Sequence, residues 1–124
     1  MGSEPGTRVR RVEEGVREAL ASLLVNEVKD PGAAGIVVTR VEMSKDLKSA
    51  RVHVRLLEGG EDAARRKAAF DALARASGML RREVTQGLGL RYAPQLRFLY
   101  DEGLDNTSRV EQLLAEIEAE RRSR

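Results

Sequence analysis

Arg75-Ala76-Ser77-Gly78-Met79-Leu80-Arg81-Arg82 is the stretch on which the reading of this chain turns. It lies inside a helical pattern covering residues 62–88. Phe70, Leu73 and Ala74 are spaced for one face before it, and Leu80, Val84 and Leu88 recur every four residues after it. A Ser-Gly pair is out of place in the middle. Glycine costs about 1 kcal/mol relative to alanine in a helix interior, and Gly/Ser pairs are a known cause of kinks. Two readings are open. In the first, Gly78 is tolerated because another element packs close to it. In the second, the helix breaks there and frees backbone N–H groups that, with the helix dipole, favour an anion such as phosphate. The charge register supports a break. On an ideal helix Arg75 and Arg82 fall nearly on one line, away from the stripe of Leu73, Leu80 and Val84, whereas Arg81 falls beside that stripe. A change of direction at Ser77-Gly78 relieves this, so a kink is expected.

Working outward, the chain before this segment divides clearly. Residues 1–7 read as a flexible leader, with Thr7 as an N-cap. Residues 8–28 follow a helical pattern with Val9, Val12, Val16, Ala19, Leu20, Leu23 and Leu24 on one stripe. Lys29-Asp30-Pro31-Gly32 stops it, because a residue before proline is pushed out of the helical region. A strand is expected over residues 36–44, with Val37, Thr39, Val41 and Met43 alternating with Val38, Arg40 and Glu42. A second covers residues 49–57, with Val52, Val54 and Leu56 opposite Arg51, His53 and Arg55. Ser44-Lys45-Asp46-Leu47 turns between them, which gives an antiparallel hairpin.

After the kinked segment, Gly87 and Gly89 end the helix and Pro94 leads into a strand at residues 95–100, with Leu96, Phe98 and Tyr100 on one face. A last helix carries Val110, Leu113, Leu114 and Ile117 at amphipathic spacing, with Ser108 and Glu111 as a capping box. Residues 118–124 read as a frayed tail. The order is α-β-β-α-kink-α-β-α: a single α+β domain over residues 8–117, a two-layer sandwich in which helices cover one face of a three-stranded sheet.

Composition narrows the function. The 124 residues carry a net charge of +2, yet residues 40–100 alone have 13 Lys/Arg against 7 Asp/Glu. A basic centre of this kind suits a phosphate-rich partner. With one histidine and no cysteine, most catalytic constellations and all thiolate metal sites lack raw material. His53 reads either as an ordinary exposed strand residue or as a phosphate or base contact. Asp101, Glu102 and Asp105 fail the calcium-loop pattern and suit turn and cap roles. No apolar run approaches membrane-spanning length. The expectation is a protein that is not an enzyme, with no cofactor and no metal; the absence of cysteine is compatible with a cytosolic protein without establishing one. With two Phe, two Tyr and no Trp, extensive aromatic stacking is not expected.

The order of elements resembles a type II KH domain, in which a GXXG loop between two helices clamps the nucleic-acid backbone. Here Ala76-Ser77-Gly78 stands in its place, and that departure resembles one family, ribosome-binding factor A, whose members carry an Ala-x-Gly kink. Further matches lie in order along the chain: Val28-Lys29-Asp30-Pro31, Ser44-Lys45-Asp46-Leu47, Leu90-Arg91-Tyr92-Ala93-Pro94-Gln95-Leu96-Arg97-Phe98 and Arg109-Val110-Glu111-Gln112-Leu113-Leu114. Gly103 departs from the pattern, which has a serine there. The resemblance covers about residues 7–117. It implies a KH-like (type II) fold and a small cytoplasmic factor, expected to be a monomer, that binds the immature 30S small ribosomal subunit and its 16S rRNA. It also implies support for late maturation and 16S rRNA 5′-end processing, and a link to growth in the cold. The expected RNA contacts are Arg75, Ser77, Gly78, Arg81 and Arg82 at the kink and Lys45, Lys48, Arg51 and Arg55 along the hairpin, with Lys29 and Arg91 beside them. The competing reading is a protein–protein adaptor of the same fold that docks on a ribosomal protein without touching RNA.

Overall fold

A computed structural model describes residues 6–103 and 106–123. Helix α1 spans Gly6–Asn26, and a short 3-10 turn follows at Pro31–Ala33. Strands β1 (Ile36–Met43) and β2 (Ser49–Leu56) come next, then α2 (Ala63–Leu88), β3 (Gln95–Tyr100) and α3 (Asn106–Arg122). The sheet order is β1-β2-β3. β1 and β2 form the expected antiparallel hairpin, and β3 pairs parallel to β2, with α2 as the crossover.

The core lies between one face of the sheet and two helices. α1 contributes Val16, Leu20 and Leu24, and α2 contributes Ala69, Ala72, Leu73, Leu80 and Val84. The sheet contributes Ile36, Val38, Val41, Met43, Ala50, Val52, Val54 and Leu56. This is the two-layer α+β sandwich expected. The phase of β1 differs from simple alternation, however. A β-bulge between Val38 and Arg40 sets Thr39 out of register, so that Ile36, Val38, Val41 and Met43 all point inward. Thr39 instead donates its hydroxyl to Asp101 Oδ2 at 2.7 Å.

The expected break of the long helix is corrected. α2 is one helix that passes unbroken through Ser77 and Gly78, with Asp62 as N-cap and Gly89, at φ 62°, as C-cap. No second N-terminus exists there to offer free N–H groups. The close-packing reading fails as well, because a Cβ at Gly78 would meet nothing within 4 Å. Two causes keep the helix whole. Ala72 and Leu73 before the glycine and Leu80 and Val84 after it are buried in the same core, and a buried leucine alone is worth about 1.5–3 kcal/mol. That exceeds the cost of one glycine. The awkward Arg81 is satisfied where it stands. Its Nε donates to the Pro94 carbonyl at 2.9 Å and its Nη2 to the Ala93 carbonyl at 3.1 Å.

The ends differ in smaller ways. Thr7 lies inside α1, which already begins at Gly6. The rest of the leader, residues 1–5, lies outside the described residues, as do the side chains of the Ser108 and Glu111 capping box. α3 continues to Arg122 and leaves Leu113, Leu114 and Ile117 about half exposed.

Two glycines test this architecture in opposite directions. Gly78→Ala adds a methyl in open space to a helix interior and should stabilise the fold by roughly 0.5–1 kcal/mol. A Cβ at Gly32 would sit 2.6 Å from the Ala68 carbonyl oxygen. Gly32→Ala should therefore destabilise by roughly 1–3 kcal/mol, the usual cost of overpacking. Urea unfolding of the two variants reads both, and a destabilised Gly78→Ala would refute the unbroken helix.

Candidate nucleic-acid interface

With one sheet face buried, strand alternation sends every other side chain to the outer face. There β2 presents Arg51, His53 and Arg55, β1 presents Arg40 and Glu42, and β3 presents Gln95, Arg97 and Leu99. The pairing register places Arg51 between Glu42 of β1 and Arg97 of β3. Arg51, Arg55 and Arg97 are exposed, and among the described residues none of them makes a hydrogen bond or ion pair. Arginines side by side on neighbouring strands repel one another, and an anionic partner relieves that repulsion. His53 is half-buried rather than exposed. Its Nε2 lies 2.7 Å from Glu42 Oε1, so its role is to hold a carboxylate within the basic face.

A second group of cations gathers at the end of the sheet where β3 begins. The turn between β1 and β2 is closed by Asp46, which accepts from the Ser44 hydroxyl at 2.6 Å and the Lys48 N–H at 3.0 Å. The Lys48 carbonyl in turn accepts from the Gln95 N–H at 2.9 Å. That bond draws the turn against the segment between α2 and β3. Lys48 Nζ lies 5.6 Å and the Arg91 guanidinium 5.5 Å from the centre of the Tyr92 ring. Lys45 is exposed beside them.

The expected cluster around Ser77-Gly78 is only partly available. Arg75 is held by Asp30, with both Nε and Nη2 at 2.7 Å from Asp30 Oδ2. Arg81 is committed to the two carbonyls named above. Arg82 is exposed and, among the described residues, has no partner. Gly78 is exposed and Ser77 half-buried. Lys29 precedes β1 and Lys45 follows it, so the eight residues of that strand separate them, about 26 Å at the usual strand rise. The expected residues therefore do not form one site. Lys45, Lys48 and Arg91 come together, Arg51 and Arg55 share the sheet face, and Arg82 and Lys29 stand apart. Arg97 was missed, although the inward spacing of Leu96 and Phe98 already sends it outward. Its partner across the sheet depends on a parallel register that no local signal announces. Among the described residues no cluster of three His, Asp or Glu side chains could hold a metal ion, and no helix is long and apolar enough to cross a membrane.

Comparison with known proteins points one way. A family model described as ribosome-binding factor A matches residues 8–114. A ribosome-binding factor A from Sorangium cellulosum is 53% identical over 110 residues, covering 89% of this chain and 88% of that protein. The crystal structure of ribosome-binding factor A from Thermus thermophilus superposes with a TM-score of 0.62 at 27% identity, over 73% of this chain and 93% of that one. A homology model of the Thermus thermophilus factor, fitted into a cryo-EM map of its complex with the 30S subunit, gives 0.61 at 26% identity, over 76% and 96%.

The acids among these cations are held ionised. The Thr39 hydroxyl and then the Gly103 N–H keep the Asp101 carboxyl below the usual carboxylate range. The hydrogen bond from His53 does the same for Glu42, and the Gly32 N–H followed by Arg75 does so for Asp30. A carboxyl whose folded pKa is depressed is protonated first in the unfolded chain as pH falls. Its stabilisation is full above the ordinary carboxylate range and is lost on acidification. The urea midpoint should therefore fall from about pH 5 downward. Asp101→Asn should lower the midpoint at neutral pH and flatten that acid slope, measured as the midpoint against pH for both proteins.

Proposed function

Since this chain belongs to the ribosome-binding factor A family, we propose that it binds the small ribosomal subunit by laying its arginine-bearing sheet face on the backbone of 16S rRNA. The single observation that carries this reading is the in-register pair Arg51 and Arg97 with Arg55 beside them. These are exposed guanidiniums on rigid strands that make no hydrogen bond or ion pair among the described residues; Glu42 across from Arg51 and Asp101 near Arg55 act on them through charge alone. Lys45, Lys48 and Arg91 extend the surface at the end where β3 begins, and Arg82 adds a further cation on α2. Guanidinium groups suit phosphate because they offer paired donors in a planar fork. The Thermus thermophilus relative fitted into a map of a 30S complex supports the choice of partner.

The arrangement contacts phosphates from a fixed surface instead of closing a loop around a strand. Such a surface suits folded RNA. Through that contact the protein supports late maturation of the subunit, including processing of the 16S rRNA 5′ end, and leaves before translation. Gly78 has no free N–H to offer, so Gly78→Ala should leave subunit binding unchanged.

Binding to small subunits should weaken as salt rises, with each phosphate contact contributing about 0.7–0.9 to the slope of log affinity against log salt. The double variant Arg51→Glu/Arg97→Glu should weaken co-sedimentation strongly and lower that slope by about 2. Cells relying on it should accumulate 16S precursor with an extended 5′ end. Undiminished binding of the double variant would sink the assigned surface. Crosslinks to ribosomal protein alone, never to RNA, would favour the adaptor reading.

A further inference from the structure

Beside the sheet face lies a cleft of about 430 Å³, formed where the turn between β1 and β2 meets the end of α2 and the start of α1. Leu88 and Leu90 give it apolar walls, and Arg8, Lys45 and Arg91 give it cations. The volume falls within the range of small-ligand sites. Tyr92 lines it. Of the four aromatic side chains, Phe70, Phe98 and Tyr100 pack against the core, whereas Tyr92 is 54% exposed. The core does not use this ring.

The ring is nevertheless held in place. Upstream, Gly89 caps α2 in the left-handed conformation and the Leu90 N–H donates to the Thr85 carbonyl at 2.9 Å. Downstream, Arg81 binds the carbonyls of Ala93 and Pro94, and Pro94 is fully buried. Lys48 and Arg91 flank the ring at 5.6 and 5.5 Å from its centre. The one acid in the wall, Asp46, is occupied by the Ser44 hydroxyl and the Lys48 N–H.

We propose that this cleft is a subsite for one unpaired nucleotide of RNA, its base stacked on Tyr92 and its phosphates met by Lys45, Arg91 and Arg8. The inference rests on the RNA-binding reading above and adds a recognition element of another kind. A sheet of arginines accepts any phosphate array, but a stacking ring with apolar walls requires a base turned out of a helix. Stacking a base on an aromatic face is worth more than an exposed cation–π contact, so the base displaces one cation from the ring and leaves it free for the adjoining phosphate. Stacking tolerates any base, so the subsite reads strandedness rather than sequence.

The chain has no tryptophan, so Tyr92→Trp supplies a single fluorescent reporter at the subsite. Three full-length variants, Tyr92→Ala, Tyr92→Phe and Tyr92→Trp, are compared with wild type for binding to purified small subunits. The expected result is a loss of about 5- to 150-fold for Tyr92→Ala, with Tyr92→Phe within about two-fold of wild type. The salt slope of Tyr92→Ala should stay unchanged, because no phosphate contact is removed. Tyr92→Trp should keep its affinity and its fluorescence should be quenched on binding. Wild-type binding with no loss for Tyr92→Ala, or an equal loss for Tyr92→Phe, would overturn the subsite and leave the sheet-face reading intact. Failure of the wild type itself to bind would overturn that earlier reading.

Discussion

Gly32 passes the backbone of α2 with no room for a side chain, and much of the structure depends on that approach. A Cβ there would meet the Ala68 carbonyl oxygen at 2.6 Å and the Ala72 methyl at 3.2 Å. The contact is closed by polar bonds on both sides. Asp30 accepts from the Gly32 N–H at 3.0 Å and pairs with Arg75 of α2. Arg65, also on α2, donates to the carbonyls of Gly32 and Ala34. The 3-10 turn is thus fixed to α2 immediately before β1 starts, which fixes where the sheet lies under the helix. Asp30-Pro31-Gly32, expected to stop the first helix, lies beyond its end at Asn26 and is a docking element.

The same view explains how the arginines are divided. Arg65, Arg66, Arg75 and Arg81 work inside the molecule. Arg66 pairs with Glu102 at 2.7 Å and lies 3.7 Å from the centre of the Tyr100 ring, and Tyr100 in turn accepts from the Leu56 N–H. A planar guanidinium can bind two carbonyls at once, as Arg81 does, and a lysine ammonium cannot reproduce that fork. Arg51, Arg55, Arg82 and Arg97 remain available. Net charge in the basic centre overstates the free surface, because about half of these eight cations are already used to hold loops against α2.

Much of the fold was legible because it is written in local patterns. Val52, Val54 and Leu56 against Arg51 and Arg55 set both faces of β2, and of the two glycines expected to end α2 it is Gly89 that caps it. The continuity of α2 through Ser77-Gly78 is not legible locally, because the glycine's cost of about 1 kcal/mol is outweighed by the burial of Leu73 and Leu80, which only the tertiary fold supplies. The bulge at Thr39 was hidden because its cause, Asp101, lies on a distant segment. For the candidate site, composition pointed to a basic surface, but position showed only part of where its cations lie. Arg75 and Arg81 carry the charge expected of the site, but their partners, Asp30 and the carbonyls beside Pro94, are tertiary. The setting of Tyr92 is tertiary too, since the turn at Lys48 is brought against it by the Gln95 bond.

The parallel pairing of β2 with β3 has a consequence for how the protein comes into being. The hairpin of β1 and β2 is local and can form early, but Arg97 reaches Arg51 only after the whole of α2 has folded and carried β3 back across the sheet. Long-range pairing of this kind is the slow part of folding. The arginine face is therefore completed last, and with it the Gln95 bond that seats Tyr92 beside Lys48. A nascent chain that has not yet reached β3 presents only part of the basic face, and the cleft beside Tyr92 is unformed. The basic face is a property of the finished molecule, complete only once the chain has passed Tyr100.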